Sequence, residues 1–210
     1  MNPKPSLRVI LTTLFLVQPL LASAGAREQL EFFFNRSQTF SANFEQVVLD
    51  EGLNTLEESS GQMTIERPNR FRWDYVPPFE QQIISDGIRI WIYDVELDQV
   101  TIKPFDKMLG HSPAVLLAGE GKIEDNYQLH ELGVQGAVEW LALDPLEKGS
   151  HYRVIRLGFE NSQLKILEFI DGLDQTTRIT LTEIIENRPI DPGYFGFKPV
   201  PGLDVIDETR

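Results

Sequence analysis

The sequence predicts a mainly β protein, an antiparallel barrel or curled sheet with a few helices. Three observations carry this. Short runs of alternating apolar and polar residues recur along the chain. Turn residues such as Asp86-Gly87, Asn161-Ser162 and Asp171-Gly172 separate them, and helices long enough to serve as crossovers are nearly absent. No composition break or internal repeat divides the 210 residues, so a single domain is expected over residues 25–210.

Residues 1–24 are set aside as a secretory leader. Lys4 and Arg8 precede an apolar run from Val9 to Leu21. Ala22-Ser23-Ala24 then supplies the small residues after which a signal peptidase cuts, with Ala26 as a second candidate. The run is shorter than the roughly 20 apolar residues a bilayer span needs, so export with cleavage is expected rather than stable membrane insertion.

From Ala26 to Arg36, Leu30, Phe33 and Phe34 fall at helical spacing. A strand follows with Phe40, Ala42, Phe44, Gln46 and Val48 on one face. Residues 50–60 are polar and contain Gly, which predicts a hairpin loop. Met63 and Ile65 share a face with Arg67 until Pro68-Asn69 ends the run, and Phe71, Trp73 and Tyr75 alternate with Arg70, Arg72 and Asp74. Pro77-Pro78 makes the next turn. Strands over 81–85 and 88–93 flank Asp86-Gly87, a strong two-residue hairpin signal, and 95–103 continues the meander. Further strands are expected at 127–132, 134–143, 152–159, 164–170, 177–186 and 194–197.

One segment stands apart. Ser112 to Gly119 has an N-cap Ser, Pro113 at the first helical position and Gly at the end. All five residues from Ala114 to Ala118 are apolar. A helix this short is marginal alone in water, and one that is apolar all round must be buried. The concave side of a curled sheet is the natural place, as a plug or lid.

Composition and motifs exclude several functions. With 19 basic against 32 acidic residues the formal charge is −13, which repels phosphate backbones and anionic headgroups and argues against nucleic-acid partners. Cysteine is absent, which removes disulfides, thiolate metal sites, a Cys nucleophile and Cys-linked lipid anchors. Gly110-His111-Ser112-Pro113-Ala114 approximates a nucleophile elbow, but that motif needs a strand–turn–helix in an α/β sheet, and Ser112 reads as a helix cap. His111, His130 and His151 lack the spacing that puts two metal ligands on one helix face. Gly119-Glu120-Gly121-Lys122 lacks the first Gly of a phosphate loop, Leu116 standing there. Glu57-Glu58 lies in a polar run. No catalytic residue, metal or cofactor is therefore assigned.

The apolar surplus is more telling. Phe40, Phe44, Phe71, Trp73, Phe79, Trp91, Tyr93 and Phe105 concentrate in the first half, fitting either an ordinary core or an apolar ligand cavity. On the face of Met63 and Ile65, Arg67 needs acceptors. Two arrangements are open. Its head snorkels to water, or it bonds the unpaired carbonyls at the C-terminal end of the Ser112–Ala118 helix and latches lid to sheet.

Several pieces, taken in order, match one family. They are Phe40-x-Ala42-x-Phe44-x-Gln46, then Gly61 followed by Glu66-Arg67-Pro68-Asn69-Arg70-Phe71-Arg72-Trp73. Ser85-Asp86-Gly87, Trp91-x-Tyr93-Asp94, Gln99-Val100-Thr101, the Ser112-Pro113 helix and Phe195-x-Phe197-x-Pro199-x-Pro201-Gly202 complete the set. Together, over residues 30–206, they resemble the periplasmic outer-membrane lipoprotein carrier family, LolA. The related outer-membrane receptor is lipid-anchored through a Cys, which this chain lacks.

The resemblance implies an incomplete, unclosed antiparallel β-barrel with a helical lid over an apolar cavity. It implies a periplasmic carrier for triacylated or diacylated lipoproteins, and a monomer is expected because mobile cargo transfer needs the opening free. Cargo would come from an inner-membrane ABC-type release complex and pass to an outer-membrane receptor. Carried over by position, Arg67 is the residue that bonds the lid backbone, Trp73 and Leu117 fall at cavity and lid, and Phe71 falls where the family meets its release complex. Phe40, Phe44, Met63, Ile65, Ile90 and Leu116 complete the expected acyl-chain cavity. Thr64 and Arg70 stand where some members carry bulkier or more apolar residues. The alternative is a lipid-binding or stress-sensing β-curl that binds a partner protein without cargo turnover. Carriage has a clear physical motive, since leaving a roughly 16-carbon acyl chain in water forgoes about 12 kcal/mol of burial.

Overall fold

The computed structural model describes residues 25–108, 112–119 and 122–209. The expected leader and His111 lie outside the described residues. The chain opens with α1 (Ala26–Arg36) and continues through β1 (Thr39–Leu49), β2 (Thr55–Glu66), β3 (Arg70–Tyr75), β4 (Gln81–Asp86), β5 (Arg89–Asp94) and β6 (Gln99–Pro104). After α2 (Pro113–Ala118) come β7 (Tyr127–Gln135), β8 (Val138–Pro145), β9 (Tyr152–Glu160), β10 (Gln163–Asp171), β11 (Thr176–Glu186) and β12 (Asp204–Asp207). Short 3-10 turns at Phe105–Met108 and Ile123–Asp125 flank α2 in sequence.

These strands form one sheet in the order β12-β6-β5-β4-β3-β2-β1-β11-β10-β9-β8-β7. Sequential hairpins build each half, and antiparallel pairing of β1 with β11 joins them. β12 and β7 are the two edges and do not pair with each other, so the sheet is an unclosed, almost wholly antiparallel barrel, as expected. β12 alone runs parallel to its neighbour, β6.

Alternation along the strands sets the interior. Phe40, Ala42 and Phe44 on β1, Met63 and Ile65 on β2, and Phe71 and Trp73 on β3 are buried. They join α1, α2 and the inner residues of β7–β11 in one apolar cluster. α1 packs across β7–β10, and α2 packs on β2 and β3. Gly61 is fixed by sterics, because a Cβ there would lie 1.9 Å from the Asp74 carbonyl oxygen on the neighbouring strand.

The structure departs from the sequence reading in three places. Residues 55–60 belong to β2 rather than to a loop; they pair with Val47, Val48 and Leu49 among others. Most of this stretch is polar and solvent-facing, so it lacks the apolar alternation that marks a half-buried strand. The break expected near Gly133 is a register shift within β7, and the turn falls at Gly136-Ala137. Residues 194–197 are not a strand. Pro189 and Pro192 cannot donate to a ladder, and the Asp191 carboxylate accepts the Gly193 N–H at 2.7 Å. The segment instead straps the outer face of the sheet: Phe197 stacks on Trp91, and Tyr194 and Phe195 lie by Arg72 and Arg70. It ends in β12.

Candidate functional site

The concave face is covered by two helices of different character. α1 buries Ala26, Gln29, Leu30 and Phe33, one face at i, i+3, i+4 and i+7. Polar bonds hold its start: the Arg27 N–H donates to Glu131 Oε1 at 3.1 Å, Arg27 Nη1 to Glu124 Oε1 at 3.2 Å, and Gln29 Nε2 to Glu139 Oε2 at 2.8 Å. α2 has no polar side chain. It buries Ala114, Val115, Leu117 and Ala118. Among the described residues one backbone bond ties it to the sheet, from the Asn69 N–H to the Ala118 carbonyl at 2.8 Å.

Arg67 follows β2 and sits beneath α1. Its backbone N–H donates to the Gln38 carbonyl at 2.9 Å, and its Nη1 donates to the Ser37 carbonyl, the C-cap of α1. The rings of Phe33 and Phe34 lie 4.7 and 4.6 Å from the guanidinium carbon, within cation–π range. Nε and Nη2 have no hydrogen-bond partner among the described residues. Burial lowers the Arg67 pKa to about 10, with the Glu186 carboxylate pulling the other way, so the group stays charged at neutral pH. Of the two sequence arrangements neither holds as stated. The head is buried, and it meets the end of α1, while the end of α2 is held by Asn69 two residues further on. The strand stops at Glu66, so the straight-strand extrapolation to Arg67 fails at its last step.

A cavity of about 710 Å³ opens between the helices and the β7–β8 end of the sheet, a volume in the range of ligand sites. Phe34, Phe105, Val115, Leu116, Ile123 and Tyr127 give it apolar walls, and Asn69, Asp106, Lys122 and Glu147 give it polar ones.

Residues 35–198 match the family described as outer membrane lipoprotein carrier protein LolA. The chain belongs to the LolA family. It is similar to proteins named outer-membrane lipoprotein carrier protein from Nitrosomonas europaea (41% identical, covering 90% of this chain and 92% of that one) and Chromobacterium violaceum (43%, covering 88% and 89%). A third, from Dechloromonas aromatica, is 37% identical over 96% of this chain and 97% of that one. Among solved structures, an uncharacterized conserved protein from Thermus thermophilus has the same fold, with a TM-score of 0.58 at 14% identity over 87% of this chain and 98% of that one.

Within this LolA-family chain the expected cavity residues are brought together, but as packed core. Phe40, Phe44, Met63, Ile65, Trp73, Ile90 and Leu117 are all at most 2% exposed and belong to the interior cluster. Leu116 alone of the eight lines the open cavity. Phe71 is 0% exposed, paired in register with Ile65 and Ser85. Its parity along β3 turns the ring inward in this closed arrangement. Sequence reasoning missed Phe34, Ile123 and Tyr127 as cavity walls. Phe34 had the signal, since it extends the apolar stripe of α1 toward water; Tyr127 opens an expected strand without marking it as a wall, and Ile123 sits in a short 3-10 turn without periodicity.

The enzyme-like motifs scatter. Ser112 occupies the N-cap of α2 in extended conformation, without a side-chain capping bond. His130 pairs with Asp144 at 3.1 Å, and His151 packs on the Tyr152 ring. Glu57 and Glu58 are neighbours on β2, so their carboxylates leave opposite faces of the sheet.

Proposed function

We propose that this chain is an exported periplasmic carrier, a single domain from residue 25 after removal of its leader, that shields the acyl chains of lipoproteins between membranes. In this reading it takes cargo from an inner-membrane ABC-type release complex and delivers it to an outer-membrane receptor, working as a monomer. The observation that supports it is a continuous apolar interior covered by α2, a helix without polar side chains and with a single backbone tie, in a chain of the LolA family. Lifting such a helix exposes interior side chains and breaks little polar structure. Acyl chains replace the buried contacts that α2 gives up. Phe40, Phe44, Met63, Ile65, Trp73, Ile90, Leu116 and Leu117 then become the acyl-chain lining.

Arg67 would hold the cover shut through α1. Its bond to the Ser37 carbonyl and its ring contacts stabilise the closed arrangement, and loading must overcome them, which lowers net cargo affinity and permits release without ATP. Spheroplasts carrying labelled lipoproteins test the reading. Purified mature chain should move label into the soluble fraction as a one-to-one complex. No release by folded protein with a cognate release complex would overturn it. In the same assay Arg67→Leu should load cargo but pass it poorly to the receptor; efficient transfer by that variant would remove the latch.

A further inference from the structure

Arg67 is a buried cation with donors to spare. It is 9% exposed, its Nη1 is used by the Ser37 carbonyl, and its Nε and Nη2 have no hydrogen-bond partner among the described residues. Phe33 and Phe34 cover the guanidinium, which favours the charge but leaves these in-plane N–H groups unmatched. Donors of a charged group left without acceptors in an apolar interior are costly, so the site is built to receive an acceptor.

The neighbouring cavity is where an acceptor would come from. Phe34 contacts the guanidinium and also walls the 710 Å³ cavity, as does Asn69, two residues after Arg67. The half-buried Phe34 ring is thus shared between the face of the guanidinium and the cavity, which places the two side by side. Hydrocarbon offers no acceptor. The linkage of acyl chains to glycerol does, because ester groups on adjacent glycerol carbons each carry a carbonyl oxygen. The guanidinium presents its donors as a rigid planar fork suited to paired oxygens. We propose that Arg67 recognises the ester carbonyl oxygens of the cargo's acylglycerol, so that the carrier reads the ester linkage as well as the chains. This rests on the carrier reading above.

The experiment compares dioctanoylglycerol with its diether analogue, dioctylglycerol, as competitors for an apolar fluorescent dye bound to the full mature chain, with octanoate as a third competitor. The chains are matched, and only the carbonyls differ. The ester should compete about tenfold better than the ether, the size expected of hydrogen bonds to a charged group. In Arg67→Leu the ratio should fall to about one. Arg67→Lys keeps a cation but not the fork, so its ratio should lie between, and it decides the matter if the leucine variant does not fold. Equal competition by ester and ether in the unmodified chain, or an unchanged ratio in the variants, overturns the inference while leaving carriage standing. Octanoate competing better than either glycerol assigns the donors to free fatty-acid carboxylates and overturns it too. If neither glycerol displaces the dye, the carrier reading falls, and this inference with it.

Discussion

α1 and α2 cover the same apolar interior, yet they are fastened by different physics. α1 is eleven residues with a polar outer face, pinned by Arg27 and Gln29 at its start and by Arg67 at its end. α2 is six residues, PAVLLA, held by burial and by the Asn69 N–H. Burial is non-directional and is recovered when another apolar body takes the helix's place. Directional bonds are not recovered that way. The difference points to α2 as the part of the cover that lifts first, while α1 opens only when the Arg67 bond to Ser37 is broken.

Core truncation under each helix breaks or sharpens this contrast most strongly. Phe33 packs on Phe34, Phe40 and Arg67, so Phe33→Ala should cost about 3–5 kcal/mol of global stability in urea unfolding. Leu117 is 0% exposed, and Leu117→Ala should cost about 2–5 kcal/mol locally. That loss should appear first as faster exchange of the Asn69 amide, which reports α2 lifting, and as a smaller drop in global stability than Phe33→Ala gives. Equal global drops with parallel exchange changes would mean that both helices open as one unit.

Arg67 comes next, because opposing terms nearly cancel there. Its bond to Ser37 is worth about 1.5–3 kcal/mol as a charged-group hydrogen bond, and its ring contacts about 0.5–2 kcal/mol. Against these stands desolvation, about 3 kcal/mol from a pKa lowered to about 10. Arg67→Leu should therefore lie within about 2 kcal/mol of the unmodified chain at neutral pH, while the Ser37 amide exchanges faster. The pH dependence has a definite sign. The folded state holds fewer protons than the unfolded chain from pH about 10 up to the ordinary arginine range, so the desolvation cost is present in full below that window and relieved as pH rises through it. The unmodified chain should gain stability relative to Arg67→Leu across the window. A flat difference would show that the guanidinium is not desolvated in solution.

What could be read in the sequence follows the same division. Strands whose inner face repeats every second residue were legible, as on β1 and β3, because one buried face imposes the pattern. Both helices were legible from spacing and caps. Residues 55–60 were not, since strand pairing there is set by the partner β1 rather than by burial. The strap over 189–203 was not, because its aromatics Phe195 and Phe197 pack on the outer face, which alternation cannot distinguish from the inner one. At the site, the apolar residues were found but their packing against each other was not. The Arg67 partner was missed by one helix, because sequence shows that a buried cation needs acceptors without showing which carbonyl lies within reach.

The smallest effect is the most selective between the two helices. Arg27 and Glu124 are both roughly two-fifths exposed, so their ion pair at 3.2 Å is worth about 0.2–1 kcal/mol and weakens with salt. Arg27→Ala should lower stability by no more than that, and should speed exchange of the Gln29 amide, which donates to the Gly25 carbonyl in the first turn of α1. Raising the salt concentration on the unmodified chain should mimic the substitution at Gln29. It should not speed the Asn69 amide, because α2 has no charge to screen and salts excluded from apolar surface strengthen burial. Opposite responses of two amides on one protein would establish that one helix is held by charge and hydrogen bonds and the other by burial. Parallel responses would show that α2 is coupled to the polar network of α1, and the cover would then have to move as a whole.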